Sequence, residues 1–300
     1  MKKLNLNYSF PYESIDRENF LHSYLANGFV VIEDLFIKAE VESILLDINS
    51  ILQAALGNDK NETSDSSLVI AQESIFTRMK LLLQTNPSFY HKSISAIESL
   101  SSIGNLASSD RVIRCVKKLG IEIPAMSARP VCNFLVANDG EESTQKALAH
   151  QDWAFMRGSL DSATLWFPLF DISESGYPLE VIPGSHLNGL LPFHSKNLEI
   201  TPKDLPEDDF IKLLPKRGDA ILFSSFLVHR TGETAGAKDS RLAISTRYNN
   251  LKEDSYIERG YYEPFYFKEK AEDIPFDVSM HDRFNKIFTS ALSNSDNLAL

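Results

Sequence analysis

The chain has 300 residues, 43% hydrophobic and 24% charged. That composition suits one large domain or two small ones and excludes wholesale disorder, collagen and coiled coil. The net charge of −11 argues against a nucleic-acid binder, which neutralises phosphates with Lys and Arg, and against docking on an anionic membrane.

Cys115 and Cys132 are the two cysteines, and they form no CxxC pair. Two buried free thiols in a reducing compartment are expected, with no disulfide framework or zinc knuckle. Met1–Asn7 has two lysines without an apolar run behind them, so a cytoplasmic protein is expected. No stretch approaches the roughly 20 apolar residues of a membrane span.

In chain order, Asp16 is placed to cap a helix over Arg17–Asn27, with Gly28 as its stop. Phe29–Ile32 is β-branched and reads as a strand. Val41, Ile44, Leu45, Ile48, Ile51 and Leu52 repeat at helical spacing, predicting a helix over Lys38–Leu56 ended by Gly57. Residues 57–67 are polar and read as a loop. Two or three helices fit between Glu73 and Leu119, one opened by Pro87.

After Gly120 the texture changes to short apolar runs between turn residues. Val131–Ala137, Ala163–Phe170, Leu179–Ile182, Ala220–Phe223 and Leu242–Tyr248 are the predicted strands of a sandwich or barrel. One domain over 1–300 is expected: a mainly helical part to 120, a β core over 121–250, and an aromatic tail over 251–300 that packs back on the core. The tail's aromatic residues are Tyr261, Tyr262, Phe265, Tyr266 and Phe267.

Among the seven histidines, His22, His91 and His281 fit structural or surface roles. His150-Gln151-Asp152 differs. On a strand, residues i and i+2 share a face, so an imidazole and a carboxylate can chelate one cation. His229, at the end of the apolar run Ala220–Val228, can supply a third ligand from a distant strand. Two histidines and one carboxylate form the facial triad of non-haem Fe(II) oxygenases, with open positions for other ligands. His186 is an alternative third ligand by residue type, but it follows Pro183-Gly184-Ser185, a chain reversal. The run Asp139–Glu142 reads as a solvated turn.

Arg241 opens the strand Leu242–Tyr248, whose face also carries Ala243, Ser245 and Arg247. An arginine inside a barrel requires a buried anion, and a bound dicarboxylate would match its bidentate fork. Thr231 can add a hydroxyl. Arg247 on the same face competes for that role. Trp153, Phe155, Met156 and Arg157 either line a substrate pocket or pack a loop, and Arg157 would suit an anionic substrate.

These segments resemble the phytanoyl-CoA dioxygenase family. They are His150–Asp152, Leu165–Asp171, Val181–His186, Lys216–Phe223, His229–Gly232 and Arg241, with Gly28–Asp34 similar to the family's opening strand. The likeness spans nearly the whole chain and is weakest over 57–120. It implies a mainly β fold with helices: a double-stranded β-helix (jelly-roll or cupin-like) core with flanking N-terminal helices. It implies Fe(II) held by His150, Asp152 and His229, 2-oxoglutarate as cosubstrate, O2 as oxidant and ascorbate as an activator. Arg241 and Thr231 would sit at the distal carboxylate, Trp166 beside the cosubstrate, and Asn133 at its chelating end.

The implied reaction hydroxylates an unactivated C–H bond of a small molecule and releases succinate and CO2. Related halogenases replace the carboxylate ligand with a small residue, so Asp152 favours oxidation. Two rival readings are a metal-dependent jelly-roll dioxygenase or isomerase that ignores 2-oxoglutarate, and a non-catalytic binding module on the same fold. The substrate and the oligomeric state are open at this stage.

Overall fold

The computed structural model describes residues 7–57, 72–137, 146–194, 200, 205–232, 239–262 and 277–296. It opens with the short strand β1 (Ser9–Pro11) and the helix α1 (Glu18–Asn27). Arg17, not Asp16, is the residue before the first turn of α1, and no side chain caps it. Asp16 instead pairs with Arg114 and Lys118. Gly28 ends the helix at φ 80°, a left-handed conformation that glycine adopts without a Cβ clash.

Strand β2 (Phe29–Glu33) and helix α2 (Lys38–Ala55) follow. Four helices, not two or three, occupy the next region: α3 (Gln72–Thr85), α4 (Pro87–Glu98), α5 (Ser101–Ala107) and α6 (Asp110–Lys118). Pro87 opens α4 as expected, and the Asn86 side chain accepts a hydrogen bond from Phe89 N at 3.1 Å. The predicted loop beyond Gly57 lies outside the described residues.

The second half supplies β3 (Pro124–Leu135), the one-turn helix α7 (Trp153–Met156), β4 (Ala163–Pro168) and β5 (Leu179–Val181). Then come β6 (Ile211–Leu213), β7 (Ala220–Ser224), β8 (His229–Thr231), β9 (Arg241–Asn250) and α8 (Asp254–Glu258). Helix α9 (Val278–Asp296) was not foreseen in the tail. Tyr261 is exposed, whereas Tyr262 packs against the core; Phe265, Tyr266 and Phe267 lie outside the described residues.

The strands form two sheets, a six-stranded one in the order β1-β2-β7-β4-β9-β3 and a three-stranded one in the order β6-β5-β8. Side-chain alternation builds two cores from the larger sheet. Trp166, Ile221, Phe223 and Ala243 face the smaller sheet, with Leu179, Val181 and Leu213 opposite. Leu165, Phe167, Leu222 and Ile244 face the other way, into one cluster with helix residues such as Ile44, Ile48, Met79 and Ile97. Burying each such Leu, Ile or Phe contributes roughly 1.5–3 kcal/mol. This is the expected mainly β architecture with flanking helices.

No helix of the described residues is long and apolar enough to cross a membrane. Cys115 and Cys132 are both buried free thiols.

Candidate active site

His150, Asp152 and His229 come together. Each offers one ligand atom, and these atoms lie within 4.8 Å of one another. Asp152 Oδ1 stands 3.5 Å from His150 Nε2 and 3.7 Å from His229 Nε2. Each imidazole Nδ1 faces a backbone carbonyl, Leu148 O at 2.6 Å and Leu227 O at 3.0 Å. A carbonyl can only accept, so each Nδ1 carries the proton and each Nε2 keeps its lone pair for a cation. Burial, then the neighbouring His150, pushes His229 down to about 3, so it stays neutral and ready to ligate at ordinary pH.

The local backbone differs from the expected strand. His150 makes a single bridge to His229, while Asp152 has helical dihedrals at the start of α7. Gln151 holds this turn in place. Its side-chain amide donates to Gly189 O at 2.8 Å and Phe226 O at 2.6 Å and accepts from Leu191 N at 2.8 Å. The two ligands therefore converge through a clamped turn, not through strand alternation.

Asp152 is fully buried, and its two oxygens have separate duties. Oδ1 faces the histidines. Oδ2 accepts from Thr164 Oγ1 at 2.6 Å and from Arg247 Nε at 3.0 Å, while a second Arg247 nitrogen reaches Oδ1 at 3.3 Å. Burial alone would raise the Asp152 carboxyl, but the Arg247 charge holds it well below the usual carboxylate range. Ser245 Oγ accepts from Arg247 at 3.1 Å and from Asn133 Nδ2 at 3.2 Å. Such outer partners fix a ligand's orientation.

Arg241 is different. It is buried, and among the described residues its polar contacts are Tyr177 O at 2.6 Å and Thr231 Oγ1 at 3.4 Å. Its Nε has no partner, and burial lowers its pKa to about 10. Trp166 lies with its ring centre 5.7 Å from the guanidinium carbon. Thr231 Oγ1 also accepts from Ala147 N at 3.1 Å, which leaves its hydroxyl proton for another acceptor. An unpartnered donor on a buried cation, beside a hydroxyl and an indole, fits an anionic group of a small molecule. The carboxylate and two imidazoles fit a divalent transition metal.

The remaining expected residues divide. Phe155 is half-buried, with its ring 6.1 Å from that of His150 and 5.9 Å from the Arg247 guanidinium carbon. Trp153 packs in the interior. It is fully buried and stacks on Phe226 at 5.1 Å. Met156 is buried too, and Arg157 is buried with its guanidinium carbon 4.9 Å from the Trp153 ring. His186 is buried away from the triad, with Nε2 on Leu25 O at 3.0 Å and burial holding it near 4. Asp139–Glu142 lie outside the described residues. Thr164 was missed from the sequence, although it is two positions before Trp166 on the same strand face; Gln151 and Ser245 were named by position, but not the clamp that Gln151 makes or the link of Ser245 to Arg247 and Asn133.

The profile of the phytanoyl-CoA dioxygenase (PhyH) family matches residues 24–243. Among curated proteins no match was found. Several solved structures share the fold. One is described as the non-heme monooxygenase ThoJ in its apo form, 16% identical, covering 77% of each chain with a TM-score of 0.54. Another is the non-heme alpha ketoglutarate dependent epimerase SnoN from nogalamycin biosynthesis, 17% identical, covering 79% of this chain and 84% of that one, TM-score 0.52. A third is EctD from S. alaskensis with 2-oxoglutarate and 5-hydroxyectoine, 17% identical, covering 83% and 81%, TM-score 0.52. At these identities the likeness speaks to the fold, while the profile match speaks to the family. With the His-Asp-His cluster inside that fold, the chain belongs to the phytanoyl-CoA dioxygenase (PhyH) family of iron- and 2-oxoglutarate-type oxygenases.

Proposed function

We propose that the whole chain, 1–300, acts as one Fe(II)- and 2-oxoglutarate-dependent hydroxylase of a small molecule. The observation that carries this reading is Arg241: a buried guanidinium with an orphaned Nε, on the same β9 face as the arginine that braces the metal-ligand carboxylate. A protein that bound metal for structure alone would have no use for a second buried cation lacking an anion.

In this reading His150, Asp152 and His229 hold the iron. Thr164 and Arg247 keep Asp152 Oδ2 occupied, so the carboxylate presents Oδ1. Arg241 and Thr231 receive the distal carboxylate of 2-oxoglutarate, with Trp166 against it. The Asn133 amide, on the same wall and hydrogen-bonded to Ser245, orients the rest of the cosubstrate. The bound iron, with 2-oxoglutarate and O2, supplies the oxidising chemistry, and succinate and CO2 are the co-products. Ascorbate activates by keeping the iron reduced. Asp152 fills the position that a halide would need, which favours transfer of oxygen. Phe155 beside His150 offers an apolar contact to the small-molecule substrate.

The test is a succinate assay with Fe(II), 2-oxoglutarate and ascorbate, combined with a metabolite screen by mass. Succinate with a product heavier by one oxygen atom is expected. Succinate with an isomer of unchanged mass would replace hydroxylation by epimerisation. Turnover without 2-oxoglutarate would favour the cosubstrate-free rival, and metal binding without any turnover the binding module.

A further inference from the structure

The two sheets leave a seam. β3 is the outer strand of the large sheet. The chain over 146–150 runs along β8 instead, through Thr231 N to Ala147 O at 2.9 Å and the His150–His229 bridge. Among the described residues no backbone hydrogen bond joins β3 to 146–150. A ligand can cross such a seam without breaking a ladder, whereas between paired strands it would have to strip buried N–H and C=O groups.

A cavity of about 210 Å³ lies at this seam. Its inner wall includes Arg241, Thr231 and Asn133, and its outer wall includes His91 and Ile94 of α4. That volume is far above the roughly 15 Å³ needed by one water and below the roughly 300 Å³ at which pockets for larger ligands begin. It suits a small organic acid. The three metal-ligating residues are not among its lining residues, so it meets the site at Arg241, Thr231 and Asn133. The metal side has its own apolar border in exposed Leu148 and half-buried Phe155. His91 is exposed at the cavity rim, and Ile94 is half-buried one turn further along α4.

We propose that this seam, walled by α4, is a side entrance through which 2-oxoglutarate reaches Arg241 and succinate leaves, separate from the metal-side opening used by the substrate. The inference rests on the oxygenase reading above. It gives α4, in the region of the sequence that least resembles the family, a specific task.

An entrance and a binding wall respond differently to substitution. Narrowing an entrance slows association and dissociation by the same factor and leaves Kd unchanged, whereas altering a wall changes Kd. The experiment mixes the full-length, Fe(II)-loaded protein with 2-oxoglutarate without oxygen and follows tryptophan fluorescence, because Trp166 lies beside Arg241. Ile94→Phe and His91→Phe are expected to slow both rates about tenfold at constant Kd, and His91→Ala to raise both. His91→Phe is at an exposed position, so it keeps the test valid if Ile94→Phe fails to fold. Unchanged rates in the folded variants, or a change in Kd carried by one rate alone, would overturn the side entrance while leaving the oxygenase reading intact. Absence of 2-oxoglutarate binding in the Fe(II)-loaded wild type would overturn both.

Discussion

Arg241 and Arg247 lie on one face of β9, both directed between the sheets, and they meet opposite fates. Arg247 is forked onto Asp152 and further held by Ser245. Arg241 has a backbone carbonyl and a distant hydroxyl, and its Nε has nothing. A buried cation paired within the protein is part of the scaffold, because removing it strands its partner. A buried cation left unpaired raises the energy of the empty protein and is relieved by an incoming anion. The contrast separates an arginine whose charge is met inside the protein from one whose charge is left free to meet an anion.

Stability offers the strongest way to break that contrast. Arg247→Met should destabilise the metal-free protein by about 3 kcal/mol, because Asp152 would remain buried without its cation. Arg241→Met should be neutral, or stabilise by about 1 kcal/mol. Urea unfolding of both variants reads the difference directly, and effects of the same sign would dissolve it.

Asp161 extends the rule to an acid without a cation. Its Oδ2 accepts from Asn250 Nδ2 at 2.7 Å, but Oδ1 is buried and unpartnered. Burial, with a contribution from Glu253, raises it to about 6. Near pH 4 and below, the folded form stays protonated and carries no penalty. Between pH 4 and 6 the unfolded chain releases the proton that the folded form retains, so stability falls as pH rises; above 6 the penalty is complete. Asp161→Asn should therefore stabilise by about 2 kcal/mol at pH 8 and have little effect at pH 4. An equal effect at both pH values would mean that ionisation is not the cause.

Thr164 sharpens the scaffold half of the comparison. Thr164→Val removes one hydrogen bond to Asp152 and should weaken Fe(II) binding about tenfold, as measured by metal titration. An unchanged affinity would show that Arg247 alone orients the carboxylate. The smallest effect belongs to Thr231, on the ligand half. Thr231→Val should weaken 2-oxoglutarate binding by about fivefold, or roughly 1 kcal/mol, without altering Fe(II) affinity.

Much of this site was legible in the sequence. The His150-Gln151-Asp152 spacing, and His229 after a long apolar run, named the three residues that come together. The period of two along β9 placed Arg241 and Arg247 on one face. Periodicity could not say which arginine is satisfied, because the deciding carboxylate lies far away in sequence on another element. The turn at Asp152 was misread as strand because Gln151 closes it through carbonyls of Gly189 and Phe226. β1, β6 and β8 have three residues each and carry no pattern of their own, whereas the equally short β5 was found because it opens the apolar run that ends at Ile182. Met280, Phe284, Ile287 and Phe288 carry helical spacing in α9, but the polar residues around them obscured it; Phe284 packs 4.7 Å from Phe226, which stacks on Trp153 beside the metal ligand.

The central claim is that Arg241, and not Arg247, receives the cosubstrate. Calorimetric titration of 2-oxoglutarate into the Fe(II)-saturated protein without oxygen tests it most directly. The wild type and Arg247→Met should both bind, while Arg241→Met should lose about a thousandfold in affinity, or roughly 4 kcal/mol. Retained affinity in Arg241→Met, or loss confined to Arg247→Met, would contradict the account.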